Sequence, residues 1–223
     1  GEEMKNLYLA SSFRGKGVAE MIMEDIERLL GKKPSEIRIS YIITAGNLHP
    51  SDKRDWIIEG RELLGRRGWQ VFDYDIEGKT EGEVEQELSD KDVVFVQGGQ
   101  CMYMSEQMQK CNFGDVIKRV LERGVPYIGE STGAIVTGGD ISAYRYWAKD
   151  RRENPPELKK YRGMGLVNFL IRPHWGRMEK REKYLKMTKE NLESIFEIEQ
   201  PIIFLNDNQL VRVEGDKFQI WEG

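Results

Sequence analysis

The sequence predicts an α/β protein with a doubly wound, mostly parallel sheet and helices on both faces. Short apolar runs alternate with helix-period segments almost from end to end, and the segments between the runs are long enough to form right-handed crossovers. A chain of 223 residues can build one well-buried core, so a single domain is expected over residues 4–223. Gly1-Glu2-Glu3 ahead of Met4 reads as a non-native remnant.

The elements follow in order. "KNLYLASS" is a short apolar run, and "VAEMIMEDIERLLG" sets Val18, Met21, Ile22, Ile26, Leu29 and Leu30 at helical spacing before Gly31 and Pro34 close it. "EIRISYIITAG" is a β-branched run. "SDKRDWIIEGRELLGRRG" is the next helix, with Ser51 or Asp52 expected as its N-cap and Gly68 as its C-cap. The alternation continues through "WQVFDYDI" with "EGEVEQELSD", "KDVVFVQGG" with helices between Met102 and Arg123, and "VPYIGES" with "TGAIVTGG". Residues 139–163 carry no clear period. Their length and the Pro155-Pro156 pair suggest an irregular excursion of the kind that forms substrate loops. "GLVNFLIRPHW", one long charged helix from about Arg177 to Ile195, and the strands "PIIFL", "QLVRV" and "KFQIW" complete the chain, the last two as a hairpin across Glu214-Gly215-Asp216.

Composition narrows the function. A net charge of -4 gives no general reason to bind nucleic acid, and the basic stretch "RMEKREKYLKMTKE" interleaves acids as a solvated helix face does. No apolar run nears the roughly 20 residues of a membrane span. The N-terminus lacks the features of a secretory signal, so a cytoplasmic address is expected. Cys101 and Cys111 are too few for a disulfide framework or a closed thiolate metal site, and neither metal nor cofactor is expected.

Ligands of an open parallel sheet bind beyond the carboxyl ends of its strands. Gly98-Gly99-Gln100, Ser131 and His174 all fall at such ends. "GESTG" has the Gly-x-Ser-x-Gly form of a strand-to-helix elbow, whose glycines allow a turn tight enough to lift the hydroxyl above the sheet. A serine needs a base, and the chain has two histidines. His49 lies in a polar loop and reads as a surface residue, whereas His174 stands at a strand end. The N–H groups of Gly99 and Thr132 are candidate donors to an oxyanion. The acid that would orient the imidazole stays open.

"KNLYLASSF", "VVFVQGGQCMYM", "YIGESTGAIVTGGDI" and "GLVNFLIRPHW" together resemble the peptidase E family of aspartyl dipeptidases, with the cyanophycinases as distant relatives. The resemblance spans nearly the whole chain from Met4. It implies a fold like that of the class I glutamine amidotransferases, with Ser131 as nucleophile, His174 as base and Gly99 with Thr132 as oxyanion hole. The interval between Ser131 and His174 is too short for an α/β-hydrolase, which places elbow and Pro-His on neighbouring strands. The resemblance leaves two candidate acids. Asp150 matches by spacing, Asp207 is the alternative from the C-terminal strand region, and Gln209 stands at about the same position as Asp207. Thr132 replaces the family's usual alanine and Gln100 its usual asparagine. The implied activity is cofactor-independent serine peptidase action on small peptides. Gln100, Arg172, Arg177 and Arg145 are substrate-binding candidates, and a homo-oligomer is compatible with this reading. Hydrolysis of a β-linked aspartyl polymer, or a binding or regulatory role with weakened catalysis, are the alternatives. A glutaminase would need a cysteine at the elbow.

Overall fold

The computed structural model describes residues 5–148, 151–153 and 160–223. The strands are β1 (Asn6–Ala10), β2 (Arg38–Ile42), β3 (Gln70–Tyr74), β4 (Val93–Val96), β5 (Tyr127–Glu130), β6 (Leu170–Arg172), β7 (Ile202–Phe204), β8 (Gln209–Glu214) and β9 (Lys217–Glu222). The helices are α1 (Val18–Leu30), α2 (Asp55–Arg67), α3 (Glu81–Leu88), α4 (Cys101–Lys110), α5 (Phe113–Glu122), α6 (Thr132–Ile135), α7 (Arg181–Glu190) and α8 (Leu192–Phe196).

The main sheet runs β3-β2-β4-β5-β1-β8-β9. The first five strands are parallel, and the β8–β9 hairpin adds antiparallel to β1 with Glu214 opposite Lys217. The side-chain period of two sorts the interior into two layers. Tyr8, Ala10, Ile39, Tyr41, Phe95 and Ile128 face α1 and α2, whereas Leu7, Leu9, Val94, Val96 and Tyr127 face α3, α4 and α5. This is the doubly wound α/β fold that the alternation predicts. The strand order reverses between β4 and β1, so the carboxyl ends of β1, β4 and β5 open onto one crevice.

One polar cluster is buried in the first layer. Asp25 of α1 accepts from Tyr8 Oη at 2.7 Å and from Arg212 Nε at 3.0 Å, and the Arg212 guanidinium lies 4.3 Å from the Tyr8 ring centroid. Asp25 and Arg212 are 7% and 3% exposed. Without Asp25, the buried Arg212 guanidinium keeps only the more exposed Glu214 carboxylate, at 2.9 Å. Asp25→Ala is therefore expected to lower unfolding stability by about 3 kcal/mol, the low end for a broken buried pair, in a urea titration, with little direct effect on the crevice.

Four expectations need correction. Ser51 and Asp52 do not cap α2: Ser51–Lys53 form a separate 3-10 turn after Pro50, and Arg54 precedes the helix. The guanidinium of Arg54 is bonded to the carbonyls of His49 and Asn47. Arg177 to Ile195 is not one helix but a 3-10 turn, α7 and α8. Asn191 ends α7, its side-chain amide donating to the Met187 carbonyl at 2.8 Å, a bond that competes with helix continuation. Elbow and Pro-His are not on neighbouring strands, because β6 pairs only with β7 in a second small parallel sheet. His49 is half-buried, its ring edge-on to Trp56 at 4.8 Å, and not a plain surface residue. Cys101 and Cys111 are buried thiols not joined in a disulfide, and no helix among the described residues is long and apolar enough to cross a membrane.

Candidate active site

The elbow is set by two backbone approaches. A Cβ on Gly129 would lie 2.4 Å from the Gly133 carbonyl oxygen, and one on Gly133 would lie 1.9 Å from that of Val96. Only glycine fits either place. Between them Ser131 takes φ 50° and ψ -104°, a costly backbone state for a residue with a side chain, held by its N–H donating to the Ala10 carbonyl at 2.9 Å. His174, with φ 63°, is also in the left-handed region.

The two side chains meet. Ser131 Oγ is 2.9 Å from His174 Nε2, and His174 Nδ1 is 2.7 Å from Asp207 Oδ1. The carboxylate at Nδ1 favours the tautomer with its proton there, which leaves Nε2 to accept from the serine hydroxyl. Asp207 sits between β7 and β8, and its carboxylate also accepts from Ser11 Oγ at 2.9 Å and from Arg177 Nε. Ser11 in turn accepts from the His174 backbone N–H at 2.7 Å, so it braces both residues from the end of β1. Of the two acids the sequence offers, Asp207 is the one at the imidazole. Asp150 lies outside the described residues, and Gln209 accepts from the Asn206 N–H instead.

Burial pushes the His174 imidazole below its ordinary value, although Asp207 pulls the other way. Burial alone would raise Asp207, but the hydrogen bonds from His174 and Arg177 outweigh it and hold the carboxyl well below its usual range. At neutral pH the pair is therefore a neutral imidazole against a carboxylate, the state a general base requires.

The Gly98–Gly99 loop faces Ser131. A Cβ on Gly98 would be 3.3 Å from Ser131 Cβ, and one on Gly99 only 2.0 Å from the Ala45 carbonyl oxygen. Thr132 is buried, and its hydroxyl donates to the Gly99 carbonyl at 2.8 Å, tying that loop to the elbow. Thr132 opens α6, so its N–H belongs to the first turn and has no intrahelical acceptor.

Two cavities flank the serine. One, of about 380 Å³, is lined by Arg14, Trp56, Glu130, Arg177 and Lys180 among others, and a second, of about 320 Å³, by Gln100, Thr132, Trp147, Arg172, Lys183 and Tyr184. Ser131, His174, Arg151 and Lys180 border both. The irregular stretch after Gly139 thus supplies part of the wall.

Arg172 is 7% exposed, with its guanidinium 4.4 Å from the Tyr184 ring centroid and 5.2 Å from that of Trp147. No carboxylate of the described residues pairs with it. Arg177 is engaged by Asp207, and exposed Arg145 stacks on Tyr146 away from both cavities. Lys180 lies in the stretch read from sequence as a solvated face, yet it borders both cavities. Burial, Arg177 and Lys183 together lower its pKa. The signal was its closeness to His174, hidden by the charge alternation around it. Ser11 was missed too, although "ASS" ends β1 on the same edge.

Comparison with known proteins gives this geometry a family. The sequence profile of peptidase family S51 matches residues 7–221. An uncharacterized peptidase of Listeria monocytogenes is 28% identical over 187 residues, covering 84% of this chain and 86% of the relative. A probable alpha-aspartyl dipeptidase of Drosophila melanogaster is 28% identical over 219 residues, covering 96% of this chain and 85% of that protein. Among solved structures, a candidate peptidase E protein from Listeria monocytogenes superposes with a TM-score of 0.80 at 22% identity, covering 99% of each chain, which shows a shared fold.

Proposed function

Because the chain belongs to peptidase family S51 and is a serine-type peptidase, we propose that it cleaves short peptides, foremost dipeptides with an N-terminal aspartate, through Ser131, His174 and Asp207. The observation that carries this reading is the unbroken hydrogen-bonded line from Ser131 Oγ through the imidazole to Asp207. His174 Nε2 takes the hydroxyl proton as Oγ attacks the peptide carbonyl. The N–H groups of Gly99 and Thr132 receive the oxyanion. His174 then passes its proton to the leaving amine, and water, activated by the same imidazole, releases the acyl group. Asp207 keeps the imidazole oriented and stabilises its protonated form.

Arg172 supports an acidic residue in the substrate. A buried cation that no carboxylate of the described residues pairs is costly, and a substrate carboxylate would supply a partner, with Lys180 and Lys183 on the same wall. The test is a dipeptide panel with Asp, Glu, Ala or Lys at the N-terminal position. Asp is expected to exceed Ala in kcat/KM by about a hundredfold, the scale of one buried charged hydrogen-bonded pair. Arg172→Gln is expected to erase that preference while leaving the alanine dipeptide unchanged. Equal rates for Asp and Ala with the wild-type protein would contradict the acidic-substrate reading.

A further inference from the structure

We propose that Glu130 is a positioning residue of this site, which acts as a neutral carboxyl beneath the nucleophile and whose ionisation suppresses the reaction at alkaline pH. The proposal rests on the serine-nucleophile reading above. Glu130 is the last residue of β5, directly before Ser131, and only 3% exposed. One of its carboxyl oxygens, Oε2, is buried with no hydrogen-bond partner. A carboxylate left in that state would carry a large desolvation cost, so the site favours the protonated form.

The neighbours do little to offset that cost. Arg14, from the loop after β1, attracts a charge on Glu130, but its guanidinium is bonded to Glu59 of α2 at 2.5 Å. Asp207, from the loop after β7, repels it. Tyr41 of β2 is held as a neutral phenol by its burial. Gln97, just after β4, and the Phe13 N–H contribute only uncharged hydrogen bonds. Lys180, Lys53, Arg151, His49 and His174 border the same cavity, while Arg177 is spent on Asp207. Burial prevails and pushes the Glu130 carboxyl up to about 7.

The consequence follows from position. Attack by Ser131 develops negative charge on the carbonyl oxygen beside the elbow, and a carboxylate one residue away opposes it in a water-poor setting. With Glu130 protonated, that opposition is absent and the cations of the cavity keep their full pull on an acidic substrate. Activity therefore rises as His174 loses its proton, below its ordinary 6.5, and falls as Glu130 loses its own near 7.

The experiment follows phosphonylation of Ser131 by diisopropyl fluorophosphate, read by mass spectrometry from about pH 5 to about pH 9, because this reaction reports the nucleophile whatever the natural substrate. Wild type is expected to lose about tenfold in rate across an alkaline limb centred near 7. Glu130→Gln keeps the shape and an acceptor oxygen but cannot ionise. It is expected to match wild type on the acid side and to hold its plateau above. Infrared spectra of the wild type supply a measure free of mutation: a protonated-carboxyl band should vanish with the same midpoint as the alkaline limb. An alkaline limb that persists in Glu130→Gln, a wild-type rate flat above pH 7, or no such band at pH 6 would overturn the proposal. Wild-type protein that never labels at Ser131 would overturn the serine reading itself, a distinct failure.

Discussion

Replacing Ser131 with alanine is expected to lower kcat by about a million-fold, the scale found when a serine nucleophile supported by a triad is removed. The fold should survive. Alanine meets the same cost as serine at φ 50°, and the lost partner is one hydrogen bond to a part-buried imidazole nitrogen. Melting curves should place the variant within about 1 kcal/mol of wild type. His174→Ala is expected to cost a similar factor, and the double variant little more, because nucleophile and base act as one unit. Activity that drops less than about a hundredfold in Ser131→Ala would mean that another group attacks the substrate.

Asp207→Asn should lower kcat by about ten-thousand-fold with KM nearly unchanged. An asparagine presents an amide N–H to Nδ1 as readily as an oxygen, and the tautomer that accepts this N–H places its proton on Nε2, where it blocks acceptance from Ser131. The same change strips Arg177 of its carboxylate partner. Asp150→Asn, by contrast, is expected to keep kcat within about tenfold of wild type. The reverse pattern would return the orienting role to Asp150. Linkage gives a second readout. The Asp207 carboxyl is held below its ordinary value in the folded state, so its contribution to stability is present above about pH 4 and is lost as pH falls further. Asp207→Asn should flatten that part of the acid denaturation profile.

The sequence showed the elbow and the base but not what joins them. Ser131 was legible because a tight turn demands Gly129 and Gly133, a local requirement that leaves a local pattern. His174 was legible because the chain offers few alternatives. The acid was not, since Asp207 reaches the imidazole only through the pairing of β6 with β7, and both strands are three residues long. So short a sheet leaves no periodicity to read, and for the same reason His174 was assigned to the strand next to the elbow. Ser11 escaped notice because its role lies in two bonds to residues remote in sequence. Thr132 stands where the family usually has alanine. Its hydroxyl bonds the Gly99 carbonyl, which turns that departure into a strut between elbow and loop.

If His174 activates Ser131 as the nucleophile, the hydroxyl should react selectively with a phosphonylating agent. Peptide mapping after brief exposure to diisopropyl fluorophosphate at pH near 7 reads this, with wild type, Ser131→Ala, His174→Ala and His49→Ala compared side by side. One adduct is expected, on Ser131, absent from Ser131→Ala, strongly reduced in His174→Ala and undiminished in His49→Ala. An adduct on another residue, or labelling lost equally with either histidine, would contradict it.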